Sequence, residues 1–328
     1  MVLHLDSTIH KLLPGYRRAR AAGRPLVLAT IVGTRGSTYR KTGAQMLFAP
    51  DGGSVGMLSG GCLEADMEER ASQVFAHGVP QLVRYDSSSE RDALWGLDSG
   101  CPGAMDVWLC LVGAATAWEP FASVEAAVAE RRRVRYGLIL ESGAAGLPAG
   151  SVVMPFLGAA EGPSTFVAVV DPPPGLLVCG AGDDVVPLAA YAEMLGWSIT
   201  VADPRPAFLE PGRFAPSARL ACGGIAALGD AVGPEQFDAA IVMNHRLSAD
   251  LAALERLAHS AIPFVGMLGP PARRNVVLER LGASAALLQG RLRAPVGLNL
   301  GGRDEADVAL SIAAELQAFF AARKASRA

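Results

Sequence analysis

The sequence holds 328 residues, 51% of them hydrophobic and 19% charged, with a formal net charge of −3. That length exceeds one ordinary core and suits two domains, while the mixed charge supplies no basic field for nucleic acid, leaving Arg131-Arg-Arg133 to read as a solvated helix end. No run reaches the ~18 apolar residues of a membrane span, His4, Asp6, His10 and Lys11 break any signal-peptide core, and five scattered cysteines without a Cys-x-x-Cys pair argue against a disulfide framework or zinc site, so a cytoplasmic protein with reduced thiols is expected.

Residues 7–22 carry a helical pattern, and Pro25-Leu-Val-Leu-Ala-Thr-Ile-Val32 is a short apolar run that predicts a buried strand ending at Gly33. A first glycine-rich loop follows, Gly36-Ser-Thr-Tyr-Arg-Lys-Thr-Gly43. Gln45-Met-Leu-Phe-Ala49 predicts a second strand and Asp51-Gly-Gly53 a turn, after which Ser59-Gly-Gly-Cys62 opens a helix to about His77. Strands at Gln81-Leu-Val-Arg-Tyr85 and 105–112 flank another irregular loop, Trp95-Gly-Leu-Asp-Ser-Gly-Cys-Pro-Gly103. A helix near 119–132 and strands near 134–140, 151–156 and 165–170 complete an N-terminal α/β domain with a mixed sheet over residues 1–171. Asp171-Pro-Pro-Pro-Gly175 is the linker, because consecutive prolines cannot donate to a sheet and favour a stiff extended chain.

Beyond the linker, short apolar strands (176–179, 198–202, 218–221, 238–243, 262–267) alternate with helices (184–195, 247–258, 271–282, and 304–323 after a glycine-rich loop). This alternation predicts βαβ units, hence a Rossmann-like, doubly wound parallel sheet over residues 175–328. Gly180-Ala-Gly182 follows a strand and opens a helix, and Asp203 ends the next strand, the context for a pyrophosphate at the helix N-terminus and a ribose on the acid. Two features oppose that ligand: Val185 stands at the third glycine position, and Asp183-Asp184 bring negative charge to the phosphate site while suiting the helix dipole as caps. Dinucleotide binding and an unused nucleotide site are equally supported, and Asp203-Pro-Arg205 reads alternatively as a strand-end salt bridge. His245, at the carboxyl edge of the sheet with Asp250 to orient it, is a candidate ligand contact or a capping residue.

The strongest chemical signal lies earlier, in Gly56-Met-Leu-Ser-Gly-Gly-Cys-Leu-Glu64 together with Gly36 to Gly43. These runs concentrate glycines, hydroxyls, a thiol, a carboxylate and two cations without any core pattern, so they read as loops built around something. Gly60 and Gly61 let backbone approach a ligand. A thiol at Cys62, beside a helix N-terminus and near Arg40 or Lys41, is expected to have a lowered pKa. Glu64 serves equally well as a ligand acceptor or a first-turn acid. Cys101 shares the logic of Cys62, whereas Cys110 and Cys179 sit in apolar strands as small buried hydrophobes.

The chain resembles the xanthine dehydrogenase accessory factors of the XdhC/CoxI type. The matching runs are Gly36-Ser-Thr-Tyr-Arg-Lys-Thr-Gly-Ala44, Ser59-Gly-Gly-Cys-Leu-Glu64, Gly180-Ala-Gly182 with Asp203-Pro-Arg205, Met243-Asn-His245 with Asp250, Gly266-Met-Leu-Gly269, and Pro295-Val-Gly-Leu298 followed by Ala309-Leu-Ser-Ile-Ala-Ala-Glu315. The resemblance implies a homodimeric maturation factor that binds the molybdenum cofactor, a molybdopterin. It would keep that cofactor sulfurated with a cysteine desulfurase and hand it to a xanthine dehydrogenase-type molybdenum hydroxylase. In that setting Ser37, Arg40, Gly60, Gly61, Cys62 and Cys101 are cofactor contacts, with Cys62 and Glu64 nearest the chemistry and Cys62 a sulfur relay or ligand. Gly180, Gly182, Asp203, Arg205 and His245 supply a nucleotide or second cofactor contact. A cofactor-binding chaperone is expected ahead of a turnover enzyme; the alternative is an NAD(P)-dependent oxidoreductase with His245 as proton donor. Three positions depart from the family pattern: Asp183 where His is common, Pro270 where Ser is common, and Ser99-Gly-Cys-Pro-Gly103 in place of a compact Cys-Gly-Gly.

Overall fold

The N-terminal elements run β1 (Val2–His4), α1 (Thr8–Ala21), β2 (Leu26–Gly36), β3 (Gln45–Phe48), β4 (Ser54–Gly56), α2 (Glu64–His77), β5 (Gln81–Asp86), β6 (Gly103–Val112), α3 (Phe121–Ala129), β7 (Val134–Ile139), β8 (Val152–Val153) and β9 (Thr165–Val170). They come from a computed structural model that describes residues 2–4, 8–61, 63–86, 103–143, 146–156, 164–233 and 235–325. The chain divides into two compact units, Met1–Pro172 and Pro173–Ala328.

The apolar run that begins β2 is buried on both faces, as its lack of alternation predicts. Leu26 and Leu28 enter one core with α1, α3, Tyr136 and Phe166, whereas Val27, Ala29 and Ile31 enter another with Met67, Ala71 and Val74 of α2. The expected mixed sheet resolves into two sheets. A five-stranded antiparallel sheet has the order β4-β3-β2-β6-β5, and a four-stranded sheet has the order β1-β9-β7-β8, with β1 parallel to β9 and the remaining pairs antiparallel. The strand expected over 151–156 shrinks to Val152–Val153, and Pro155, which cannot donate to a ladder, stands two residues beyond it.

The C-terminal unit continues with β10 (Gly175–Cys179), α4 (Val185–Leu195), β11 (Ser198–Asp203), β12 (Arg219–Cys222), β13 (Ala239–Val242), α5 (Leu247–Ala258), β14 (Val265–Met267), α6 (Pro271–Leu281), β15 (Leu292–Arg293) and α7 (Glu305–Ala325). Its six strands are all parallel in the order β12-β11-β10-β13-β14-β15. Counted within the unit this is 3-2-1-4-5-6, the doubly wound Rossmann order. α4 and α7 cover one face, and α5 and α6 the other. The order reverses between β10 and β13, so the loops after those two strands meet at the carboxyl edge. Gly180 makes that meeting possible: its φ is +119°, and a Cβ there would lie 2.3 Å from the Met243 carbonyl oxygen. Among the described residues no helix is long and apolar enough to cross a membrane.

Candidate functional site

In the N-terminal unit the run 56–64 is pinned from below and organised from within. Leu58 is fully buried and Leu63 nearly so, fixing both ends of the loop to the α2 side of the sheet. α2 begins at Glu64, two residues later than its sequence suggests. The Glu64 carboxylate turns back over the loop. It accepts from the N–H groups of Ser59 and Gly61 at 2.9 Å, from those of Leu58 and Leu63 at 3.3 Å, and from the Ser59 hydroxyl. Burial opposes its charged form, but the bonds from the Ser59 hydroxyl and the loop N–H groups outweigh that and hold the carboxyl below the usual glutamate range. Glu64 is therefore engaged by the N–H groups and the hydroxyl of its own loop.

This loop and the run 36–43 come together. The Tyr39 ring stands over Gly60, 3.4 Å from where a Cβ would be, and Gly60 (φ +82°) and Gly61 (φ +111°) both lie in the glycine region. Among the described residues, a Cβ on Gly61 would meet nothing within 4 Å. Ser37 is exposed and Arg40 half-buried on the same run, and Tyr39 and Met57 expose 59% and 41% of their surface, enough to offer a contact face. Tyr39 and Met57 went unassigned in the sequence because apolar exposure is a tertiary property. Cys62 and Cys101 lie outside the described residues. Asp66, in the first turn of α2, accepts from Arg70 at 2.7 Å and from the Tyr85 hydroxyl. Burial, then the neighbouring Asp66, pushes the Tyr85 phenol well above its usual range.

A glycine floor with Tyr39 over it, and a run that also carries the Ser37 hydroxyl and the cations Arg40 and Lys41, are of the chemical kinds that a flat, polar, anion-bearing molecule such as a molybdopterin calls for. The N–H groups of Leu58, Ser59, Gly61 and Leu63 face Glu64, so these donors are already engaged within the loop.

At the switch point of the Rossmann unit the predicted residues also meet, in a different arrangement. A cleft of about 370 Å³ is lined by Gly182, Asp184, Phe208, His245, Leu268 and Arg303, among others. Asp203 is 1% exposed, with both oxygens in use: it accepts from the Ala181 N–H at 2.9 Å, the Arg205 N–H at 2.8 Å and the Arg205 guanidinium at 2.8–2.9 Å. Burial opposes its charge, yet the hydrogen bonds and charge of Arg205 hold it below the usual aspartate range. The salt-bridge alternative thus describes this pair, and Arg205 further stacks 3.8 Å from the Phe208 ring centroid.

Two expectations are corrected here. His245 faces Asp184 at 3.2 Å instead of Asp250, because Asp250 is engaged by Asn244 at 3.3 Å and Arg273 at 2.9 Å. Asp183 and Asp184 do not cap α4 through their side chains: Asp183 pairs with Arg213 at 2.8 Å, and Asp184, at the N-cap position, makes no cap bond. In this set of residues the ribose acceptor of a dinucleotide site, Asp203, is engaged by Arg205 and Ala181, and the carboxylates of Asp183 and Asp184 stand at the phosphate end of the turn. Val185, at the third glycine position, is fully buried in the α4 core.

Known proteins share this architecture across both units. Residues 176–316 match the family model described as the XdhC Rossmann domain, and residues 19–86 match that of the XdhC and CoxI family. The chain is 30% identical over 321 residues to a protein of Bacillus subtilis (strain 168) named as a probable xanthine dehydrogenase subunit, covering 88% of this chain and 92% of the relative. It is 26% identical over 302 residues to the molybdenum cofactor insertion chaperone PaoD of Escherichia coli (strain K12), covering 91% and 84%. The crystal structure of a xanthine dehydrogenase from Bacillus halodurans matches over 96% of each chain with a TM-score of 0.77 and 29% identity. With one relative 30% identical over nearly its whole length and family matches in each unit, the chain belongs to the XdhC and CoxI family.

Proposed function

We propose that this protein is an accessory factor that binds the molybdenum cofactor in its N-terminal loops and passes it to a xanthine dehydrogenase-type molybdenum hydroxylase. The observation that carries the reading is the loop organised by Glu64, with Tyr39 over Gly60 and, among the described residues, no atom within 4 Å of a Cβ on Gly61. Support comes also from two relatives: the Bacillus subtilis protein bears a xanthine dehydrogenase name, and the Escherichia coli protein is named as a molybdenum cofactor insertion chaperone. In this reading Ser37, Arg40 and Lys41 meet the anionic end of the cofactor, and Tyr39 flanks its ring system. Bound cofactor would supply the molybdenum centre; the protein holds and orients it. Cys62 is the residue assigned to its exchangeable ligand, with a cysteine desulfurase as sulfur source, and a homodimer is the assembly expected.

The test is co-purification. Wild type and Cys62→Ala are isolated from cells making the cofactor, and molybdopterin is measured as its fluorescent oxidation product. A several-fold loss in the variant is expected. Equal retention removes the role assigned to Cys62, and absence of molybdopterin from wild type removes the whole reading.

A further inference from the structure

The glycine turn of the Rossmann unit has the shape of a pyrophosphate seat, and the chain fills that seat itself. In a dinucleotide-binding turn the second glycine lets the pyrophosphate approach the backbone at the helix N-terminus. Here a Cβ on Gly182 would lie 2.7 Å from Asp184 Oδ1 and 2.8 Å from His245 Nε2, so these two groups stand in that space. Asp184 is 7% exposed and spends neither oxygen on capping α4; both lie within 3.3 Å of His245 Nε2. His245 reaches it from a left-handed backbone conformation (φ 58°) that a residue with a side chain rarely adopts. Asp304 and Glu305 add negative charge to the cleft, and Asp203 is engaged by Arg205 and Ala181.

We propose that the Asp184 carboxylate, held by His245, is an internal substitute for a bound phosphate, so that this unit keeps the geometry of a nucleotide-binding turn while excluding pyrophosphate-bearing nucleotides. The inference is independent of the molybdopterin reading, which concerns the other unit.

Calorimetric titration of the full chain with NADH, NADPH and inorganic pyrophosphate tests it. Wild type should give no binding heat at millimolar ligand, whereas Asp184→Ala should bind pyrophosphate at least about tenfold more tightly than wild type. Asp184→Asn, which keeps the shape and removes the charge, decides the matter should the alanine variant fail to fold. Micromolar binding of any of the three ligands by wild type overturns the proposal. So does a folded Asp184→Ala chain that gains no affinity for pyrophosphate.

Discussion

Replacing Glu64 by alanine removes the acceptor around which residues 58–63 are arranged. Two of its bonds are good, from the Ser59 and Gly61 N–H groups at 2.9 Å; the Ser59 hydroxyl adds a third, and the two contacts at 3.3 Å are weak. Hydrogen bonds to a charged group contribute roughly 1.5–3 kcal/mol each. The loop is half open to water and its freed N–H groups rehydrate, so the net loss should be about 2–3 kcal/mol. For a unit of this size each kcal/mol lowers the melting midpoint by about 2–4 °C, which places the expected fall at roughly 4–12 °C in the N-terminal transition. Glu64→Gln keeps one acceptor oxygen and should lose about half as much. Scanning calorimetry measures both, and a double-mutant cycle with Ser59→Ala should show coupling of about 0.5 kcal/mol or more. The charge has a pH signature. Because folding lowers the pKa of Glu64, its stabilisation is full above the ordinary value of 4.5 and disappears as the pH falls through the lower folded value. Wild type and Glu64→Gln should therefore converge in acid. Variants within about 0.5 kcal/mol of wild type at neutral pH would refute the loop-organising role.

Asp203→Asn removes the charge of the buried acceptor shared by the Ala181 N–H, the Arg205 N–H and the partly exposed Arg205 guanidinium, and should cost roughly 1.5–3 kcal/mol in the C-terminal transition, read by the same calorimetry. Its folded pKa is also lowered, so the penalty should shrink as the pH falls below about 3.8. Burial pushes the Cys110 and Cys179 thiols up to about 12, so neither should react with a thiol reagent at pH 8 until the chain is denatured. Cys222 is exposed at the end of β12, and Cys222→Ser should remove one fast-reacting thiol from the native count.

The elements most legible in the sequence are those whose signal is local. α5 occupies 247–258 as its apolar spacing predicts, and β10, β11 and β13 fall within one residue of the expected bounds, because each is a short apolar run closed by a turn. β4 and β15 escape such reading: Ser54–Gly56 and Leu292–Arg293 are too short to show a period, and only pairing with β3 and β14 makes them strands. The apolar strands of the N-terminal unit were equally visible, but their distribution between two sheets was not. β1 pairs with β9 across more than 160 residues, and nothing in three residues of chain specifies so distant a partner.

The same division runs through the candidate sites. The sequence by itself determined a Rossmann half and glycine-rich loops outside any core, since periodicity and glycine clustering are properties of neighbouring residues. It also placed acids beside both loops, at Glu64 and at Asp183-Asp184. Only the tertiary structure decided how those acids are used. Glu64 gathers loop N–H groups three to six residues behind it, and Asp184 meets His245 from the loop beyond β13. A carboxylate's worth depends on which donors converge on its oxygens, and that convergence exists only once the strands have paired.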